Sequence, residues 1–146
     1  MPHKSFLRAG ALCAGLCVAT TLQAAVTLTK GTYLQQDRAL TSYTLENEYL
    51  RLGLVPERGG MAYELIDKRD GYVNLIYLSN KSGAYGGLFD DHGNWNVQPF
   101  TPRLVADTPQ RCAIELTGAQ RDLTYVKTVS LSAGRPLIEV AYRLQN

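Results

Sequence analysis

Beyond residue 26, apolar and polar residues alternate one by one through most of the chain, and no segment keeps apolar residues at helical spacing for three turns. Leu50, Leu52 and Leu54 fall on one face with Tyr49, Arg51 and Gly53 opposite. Met61, Tyr63 and Leu65 alternate with Ala62, Glu64 and Ile66, and Cys112, Ile114 and Leu116 alternate with Ala113 and Glu115. Leu123, Tyr125, Val129 and Leu131 are interleaved with Thr124, Thr128 and Ser130, and Ile138, Val140, Tyr142 and Leu144 with Glu139, Ala141 and Arg143. A strand sends successive side chains to opposite faces, so this pattern predicts strands with one buried face. The expectation is an all-β chain of about nine antiparallel strands with essentially no helix.

The punctuation fits a meander. Asn47-Glu48 separates two short strands, and Pro56-Glu57-Arg58-Gly59-Gly60 interrupts the chain before the Met61 strand. Lys68-Arg69-Asp70-Gly71 reads as a charged turn, and Ser132-Ala133-Gly134-Arg135-Pro136 joins the last two long strands as a hairpin. Alternation fails from Ser79 to Phe100, where Gly, Asn, Asp and aromatic residues crowd together. So long an irregular stretch in a small domain is more often a binding loop than filler.

The first residues predict export. Lys4 and Arg8 precede an uncharged apolar run through Val18 to Leu22, which ends in Gln23-Ala24-Ala25. Positive, apolar and small, in that order, is the form of a secretory signal peptide, and the run is too short to remain as a bilayer span. Residues 1–25 are therefore expected to be the leader and 26–146 one exported domain, periplasmic or secreted, with no membrane association after cleavage. Leu precedes both Cys13 and Cys17, and no Arg-Arg pair occurs, so neither a lipid-attachment site nor a folded-export signal is read.

Of the 15 Lys and Arg, Lys4 and Arg8 leave with the leader, so 13 face the 13 acidic residues. The near-neutral remainder has no basic field of the kind that nucleic acid or anionic lipid requires. Cys112 is left as a single thiol without an intramolecular partner, and its place in an alternating segment predicts a buried, inert core position.

Two segments carry a family resemblance. Thr44-Leu45-Glu46-Asn47-Glu48-Tyr49-Leu50-Arg51-Leu52 leads to Leu54-Val55-Pro56-Glu57-Arg58-Gly59-Gly60, then to Met61 through Gly71 with Asp67-Lys68-Arg69-Asp70-Gly71 at its end. This resembles the opening of galactose-mutarotase-like (aldose-epimerase-like) domains, with an edge strand running to Pro56 and a tight reversal at Gly59-Gly60. Val126-Lys127-Thr128-Val129-Ser130-Leu131 and Pro136-Leu137-Ile138-Glu139-Val140 are similar to mid-domain strands of the same family. The resemblance implies a large antiparallel sandwich that binds sugars on a concave sheet face, as in mutarotases, sugar-phosphate epimerases and domains of glycoside hydrolases and polysaccharide lyases. Complete domains of that type are about twice this length, so the expectation is the N-terminal half of such a domain, a fragment or a reduced relative. A half sandwich would leave strand edges uncovered and prone to self-association. Mutarotation needs an acid at the ring oxygen and a base at the anomeric hydroxyl, which the family supplies as His and a late Glu. Neither role maps onto a matching motif here, because His92 is the one His beyond the leader and no Glu follows Glu139.

The residues themselves nominate a site in the irregular stretch. His92 beside Asp91 suits acid–base work, against the alternative of an exposed loop His. Trp95, the only Trp, could stack on a pyranose while Asn94 and Asn96 bond its hydroxyls, against the alternative of a Trp capping the core. Asp90, Tyr85 and Arg58, and more weakly Arg103, complete the substrate-binding candidates. Asp90, Asp91, Asn94 and Asn96 are also oxygen donors of the kind Ca²⁺ takes. Their spacing is not that of an EF-hand, however, and the usual shell holds about six to eight oxygens, so the expectation is no cofactor. The leading expectation is thus a carbohydrate-binding or carbohydrate-active domain. The alternatives are a non-catalytic accessory β domain or a piece of a longer hydrolase, lyase or epimerase.

Overall fold

Short turns between alternating segments make each strand pair with the next within a sheet, and the one long connection, from Asp67 to Thr101, passes from one sheet to the other. The structure is a computed structural model that describes residues 24–35, 37–76, 87 and 98–146. Strands β1 (Thr27–Gln35), β2 (Arg38–Glu46), β3 (Leu50–Val55) and β4 (Met61–Asp67) form one antiparallel sheet in the order β1-β2-β3-β4. Strands β5 (Thr101–Asp107), β6 (Arg111–Gln120), β7 (Leu123–Ser132) and β8 (Ile138–Gln145) form the second, in the order β5-β6-β7-β8. The result is an all-β, two-sheet antiparallel sandwich with eight strands among the described residues. A single 3-10 turn, Pro56–Arg58, is its only helical element there.

Two sequence expectations are corrected. The strand that runs into Pro56 is not an edge: β3 lies between β2 and β4. Pro56 is accommodated because it stands just past the last residue of the strand and opens the 3-10 turn, where a missing N–H costs nothing. The alternation of β4 also breaks. The register against β3 shifts between Gly53 and Leu54, so that Gly53 faces Glu64 and Leu54 faces Ala62. This bulge turns Ala62 and Leu65 toward the other sheet, while Met61 and Tyr63 pack with Leu40, Val55 and Tyr33 in a separate cluster.

The inter-sheet core is otherwise the one the alternation predicts. Leu45, Leu50, Leu52 and Leu54 from the first sheet meet Cys112, Ile114, Leu116, Tyr125, Val129 and Leu131 from the second, with Phe100 and Val26 closing the ends. Each fully buried aliphatic side chain contributes about 1.5–3 kcal/mol relative to exposure, so this layer is the main stabilising term.

Directional bonds fix how the two sheets meet. Asn47, in the β2–β3 turn, is only 3% exposed. Its Oδ1 accepts from the Tyr49 and Leu50 amides at 2.9 and 2.8 Å, which closes its own turn. Its Nδ2 donates to the carbonyls of Ser132 and Arg135 at 2.7 and 2.8 Å, in the β7–β8 turn of the opposite sheet. Beside it, the Gly134 amide donates to the Glu48 carboxylate at 2.7 Å. The Lys68 ammonium donates to the Asn47 carbonyl, which brings in the end of β4. In the turn that follows β4, Asp67 accepts from the backbone amide and the guanidinium of Arg69. The Arg69 side-chain bond, followed by the backbone bond, draws the Asp67 carboxyl down from 3.8 to about 2.

Two outcomes follow. Asn47→Ala strips both turns of these bonds and should lower unfolding stability by roughly 2–4 kcal/mol, with an unchanged denaturant slope in a urea melt. Because the Asp67 pKa is depressed on folding, its contribution is complete above its ordinary value of 3.8 and vanishes as pH falls through about 2. A carboxyl-detected NMR titration should therefore place Asp67 near the lower value, and Arg69→Ala should return it toward the ordinary one.

Candidate functional site

The turn that begins at Pro56 borders a small polar hollow. Pro56 fixes the first position of the 3-10 turn, and Gly59 and Gly60 follow with φ of 63° and 68°, a left-handed pair that reverses the chain into β4. The reversal is tied to the start of the second sheet: the Gly59 amide donates to the Gln98 carbonyl at 2.8 Å and the Phe100 amide to the Pro56 carbonyl at 2.9 Å.

This geometry gives Glu57 an unusual task. The β2–β3 ladder pairs Tyr43 with Leu54 and then stops. The next amide along β2 on that side, Thr41 N–H, would face Pro56. Glu57 Oε1 accepts it instead at 2.9 Å, so a side chain replaces a ladder bond. The other carboxylate oxygen, Oε2, is buried and has no hydrogen-bond partner among the described residues. Glu57 also lines a hollow of about 260 Å³, together with Lys30 of β1, Thr41 and Tyr43 of β2, Phe100, Thr101 and two prolines. Two aromatic rings, an ammonium, a carboxylate and two threonines thus converge on one small space. A buried acceptor left over in such a space fits a ligand hydroxyl.

A second hollow, of about 230 Å³, opens between the sheets beside β4 and β8. Aliphatic side chains line most of it, including Leu52, Leu54, Leu65, Val129 and Val140. Lys127 is its one charged group. It is 5% exposed and donates from Nζ to the Gly60 carbonyl at 3.0 Å, which ties β7 to the same glycine pair. Lys127 was legible as an anomaly, since it stands in phase with the apolar Tyr125 and Val129.

The sequence candidates fall mostly elsewhere. Tyr85, Asp90, Asp91, His92, Asn94, Trp95 and Asn96 lie outside the described residues, as do residues 1–23 of the expected leader. Gly87 alone is described in that run. It has φ 117°, and a Cβ there would come within 2.7 Å of Met61 and 2.9 Å of the Ala62 carbonyl, so the backbone lies directly on β4. Met61 belongs to the cluster on the face away from the inter-sheet core, whereas Tyr43 packs against that core. Gly87 and the Glu57 hollow are therefore not brought together. Arg58 ends the 3-10 turn, half-buried and engaged in an interaction, but it does not line the Glu57 hollow. Arg103 pairs with Glu115 across β5 and β6 at 2.9 Å, with its side chain 66% exposed, and such a surface pair is worth little. Glu57 itself was missed. Its signal was a carboxylate placed straight after a strand-ending proline, where a neighbouring strand must lose a ladder partner.

Among the described residues no group of three or more His, Cys, Asp or Glu is arranged to hold a metal ion. No described helix is long and apolar enough to cross a membrane. Cys112 is buried as expected, and its thiol is pushed up to about 11, first by burial and then by the hydrogen bond to Asp107. No family model matches this chain, and no curated protein sequence matches it.

Alkylation by iodoacetamide at pH 8, read by peptide mass spectrometry, should leave Cys112 unmodified in the folded chain and label it fully in urea.

Proposed function

We propose that this chain is an exported carbohydrate-recognition domain of galactose-mutarotase-like type, with the Glu57 hollow as a sugar subsite. The observation that carries the reading is the Glu57 carboxylate, which uses one oxygen to complete the fold, keeps the other buried and unbonded among described residues, and stands in the lining of a hollow shared with Tyr43 and Phe100. Sugars present hydroxyl donors on one edge and apolar C–H faces on the other. A fixed carboxylate beside Tyr43 and Phe100 matches both, and Lys30, Thr41 and Thr101 add donors and acceptors. The opening motif from Thr44 to Gly71, and the positive-apolar-small order of the first 25 residues, support the family and the export parts of the reading.

Catalysis is a separate part of the proposal. His92 and Asp91 remain the acid–base candidates, and Trp95, Asn94, Asn96, Asp90, Tyr85 and Arg58 the further sugar contacts. No cofactor is proposed. The periplasm or the exterior of the cell is the proposed location.

Titration of the chain with a panel of neutral and acidic mono- and oligosaccharides, followed by calorimetry and Trp95 fluorescence, tests recognition. One sugar class should bind, and Glu57→Gln, which keeps an acceptor for the Thr41 amide, should weaken it roughly tenfold. Absence of binding across the panel, or equal binding by E57Q, would sink the reading. Polarimetry on any bound aldose separates the two forms of the proposal: mutarotation abolished by His92→Ala marks an enzyme, and binding without turnover marks an accessory domain.

A further inference from the structure

Three of the four sheet edges carry a device that discourages pairing with another chain. On β1 the inward face carries a charge, because Lys30 lies opposite Tyr43 of β2 and shares the face that packs against the core. On β4 the edge is capped by the chain itself. Asn74 bridges Ile66, the Leu75 amide donates to the Leu65 carbonyl at 2.8 Å, and Asn74 Oδ1 accepts from the Leu65 amide at 2.9 Å. On β5 the strand contains Pro102 and a register shift between Leu104 and Ala106.

Among the described residues, strand β8 has none of these. It is eight residues long, free of Pro and Gly, and pairs with β7 without a break from Ile138 to Leu144 and Gln145. Its core-facing side chains pass beyond the cover of the first sheet, leaving Val140 44%, Tyr142 53% and Leu144 61% exposed. On its other face Glu139 and Arg143 stand opposite Ser130 and Val126 of β7, so neither charge meets an opposite charge across that ladder.

We infer that β8 is a self-complementary edge that pairs antiparallel with β8 of a second copy of this chain, about a two-fold axis at Ala141. The sequence Ile138-Glu139-Val140-Ala141-Tyr142-Arg143-Leu144 selects the register. With Ala141 opposite Ala141 of the second copy, Glu139 faces Arg143 and Arg143 faces Glu139, which satisfies both charges twice over. In the same register Val140 faces Tyr142 and Ile138 faces Leu144, so the exposed apolar row of each copy is matched by that of the other. A slip of one residue would put apolar side chains opposite the charged face, and a slip of two would separate the charges. Pairing in this way makes one continuous eight-stranded sheet of β5–β8 from both copies, and it lies apart from the Glu57 hollow.

Sedimentation of the purified chain over a range of concentrations should show a monomer–dimer equilibrium. Arg143→Glu or Glu139→Arg, each placing like charges opposite one another, should raise the dissociation constant roughly tenfold or more, and the double variant E139R/R143E should restore it. Ala141→Cys should form an intermolecular disulfide under mild oxidation, as its position on the axis demands. A monomer at all concentrations, or assemblies indifferent to R143E and E139R, overturns the inference. So does rescue failing in the double variant while both single variants remain folded by circular dichroism. If the edge instead takes a different polypeptide, the chain sediments as a monomer alone and the Ala141→Cys disulfide does not form.

Discussion

The arrangement of the two sheets depends on the buried amide of Asn47. Apolar faces hold sheets together without direction, because burial is indifferent to small slides and rotations. Asn47 removes that freedom at one end. Its oxygen shapes the β2–β3 turn and its nitrogen holds two carbonyls of the β7–β8 turn, so a hairpin of one sheet is latched to a hairpin of the other. Every polar atom of the side-chain amide is bonded, and this is what makes burial of so polar a group tolerable. Lys68 and Glu48 then attach to the same corner, from the end of β4 and from the turn itself.

The opposite end is held by backbone rather than by an amide side chain. The Pro56–Gly60 reversal exchanges hydrogen bonds with Gln98 and Phe100, and Lys127 reaches across from β7 to the Gly60 carbonyl. A buried ammonium is costly without partners, and its placement on a carbonyl of the left-handed glycine pair explains why a lysine persists in phase with core residues. Glu57 belongs to the same end. Its bond to the Thr41 amide fixes the carboxylate in place and leaves the second oxygen buried without a hydrogen-bond partner among the described residues.

The sandwich is asymmetric in its exposure. The first sheet carries a second buried cluster of Leu40, Val55 and Met61, with the partly buried Tyr33 and Tyr63 rings 4.6 Å apart against it, and an ion group of Glu46, Arg51, Glu64 and Lys68. The second sheet extends past the first at β8, where apolar residues reach solvent. Among the described strands, β1, β4 and β5 carry features that discourage strand addition and β8 carries none of them.

By itself the sequence determined the all-β class, the segments of β3, β4, β6, β7 and β8, the turns at 47–48, 68–71 and 132–136, and the burial of Cys112. These are local properties: side-chain direction alternates every residue, and turn residues act within a few positions. Tertiary structure alone decided that β3 is interior, that a bulge reverses the faces of Met61 and Ala62, and that Asn47 is a latch rather than an ordinary turn residue. It also decided that Glu57 replaces a missing ladder bond and that Val140, Tyr142 and Leu144 are left about half exposed. Each of these depends on which strand lies alongside which, and on where its pairing stops. Period two records only that a strand has two faces. What each face meets is set by contacts across tens of residues, as between Asn47 and Ser132 or Gly60 and Lys127.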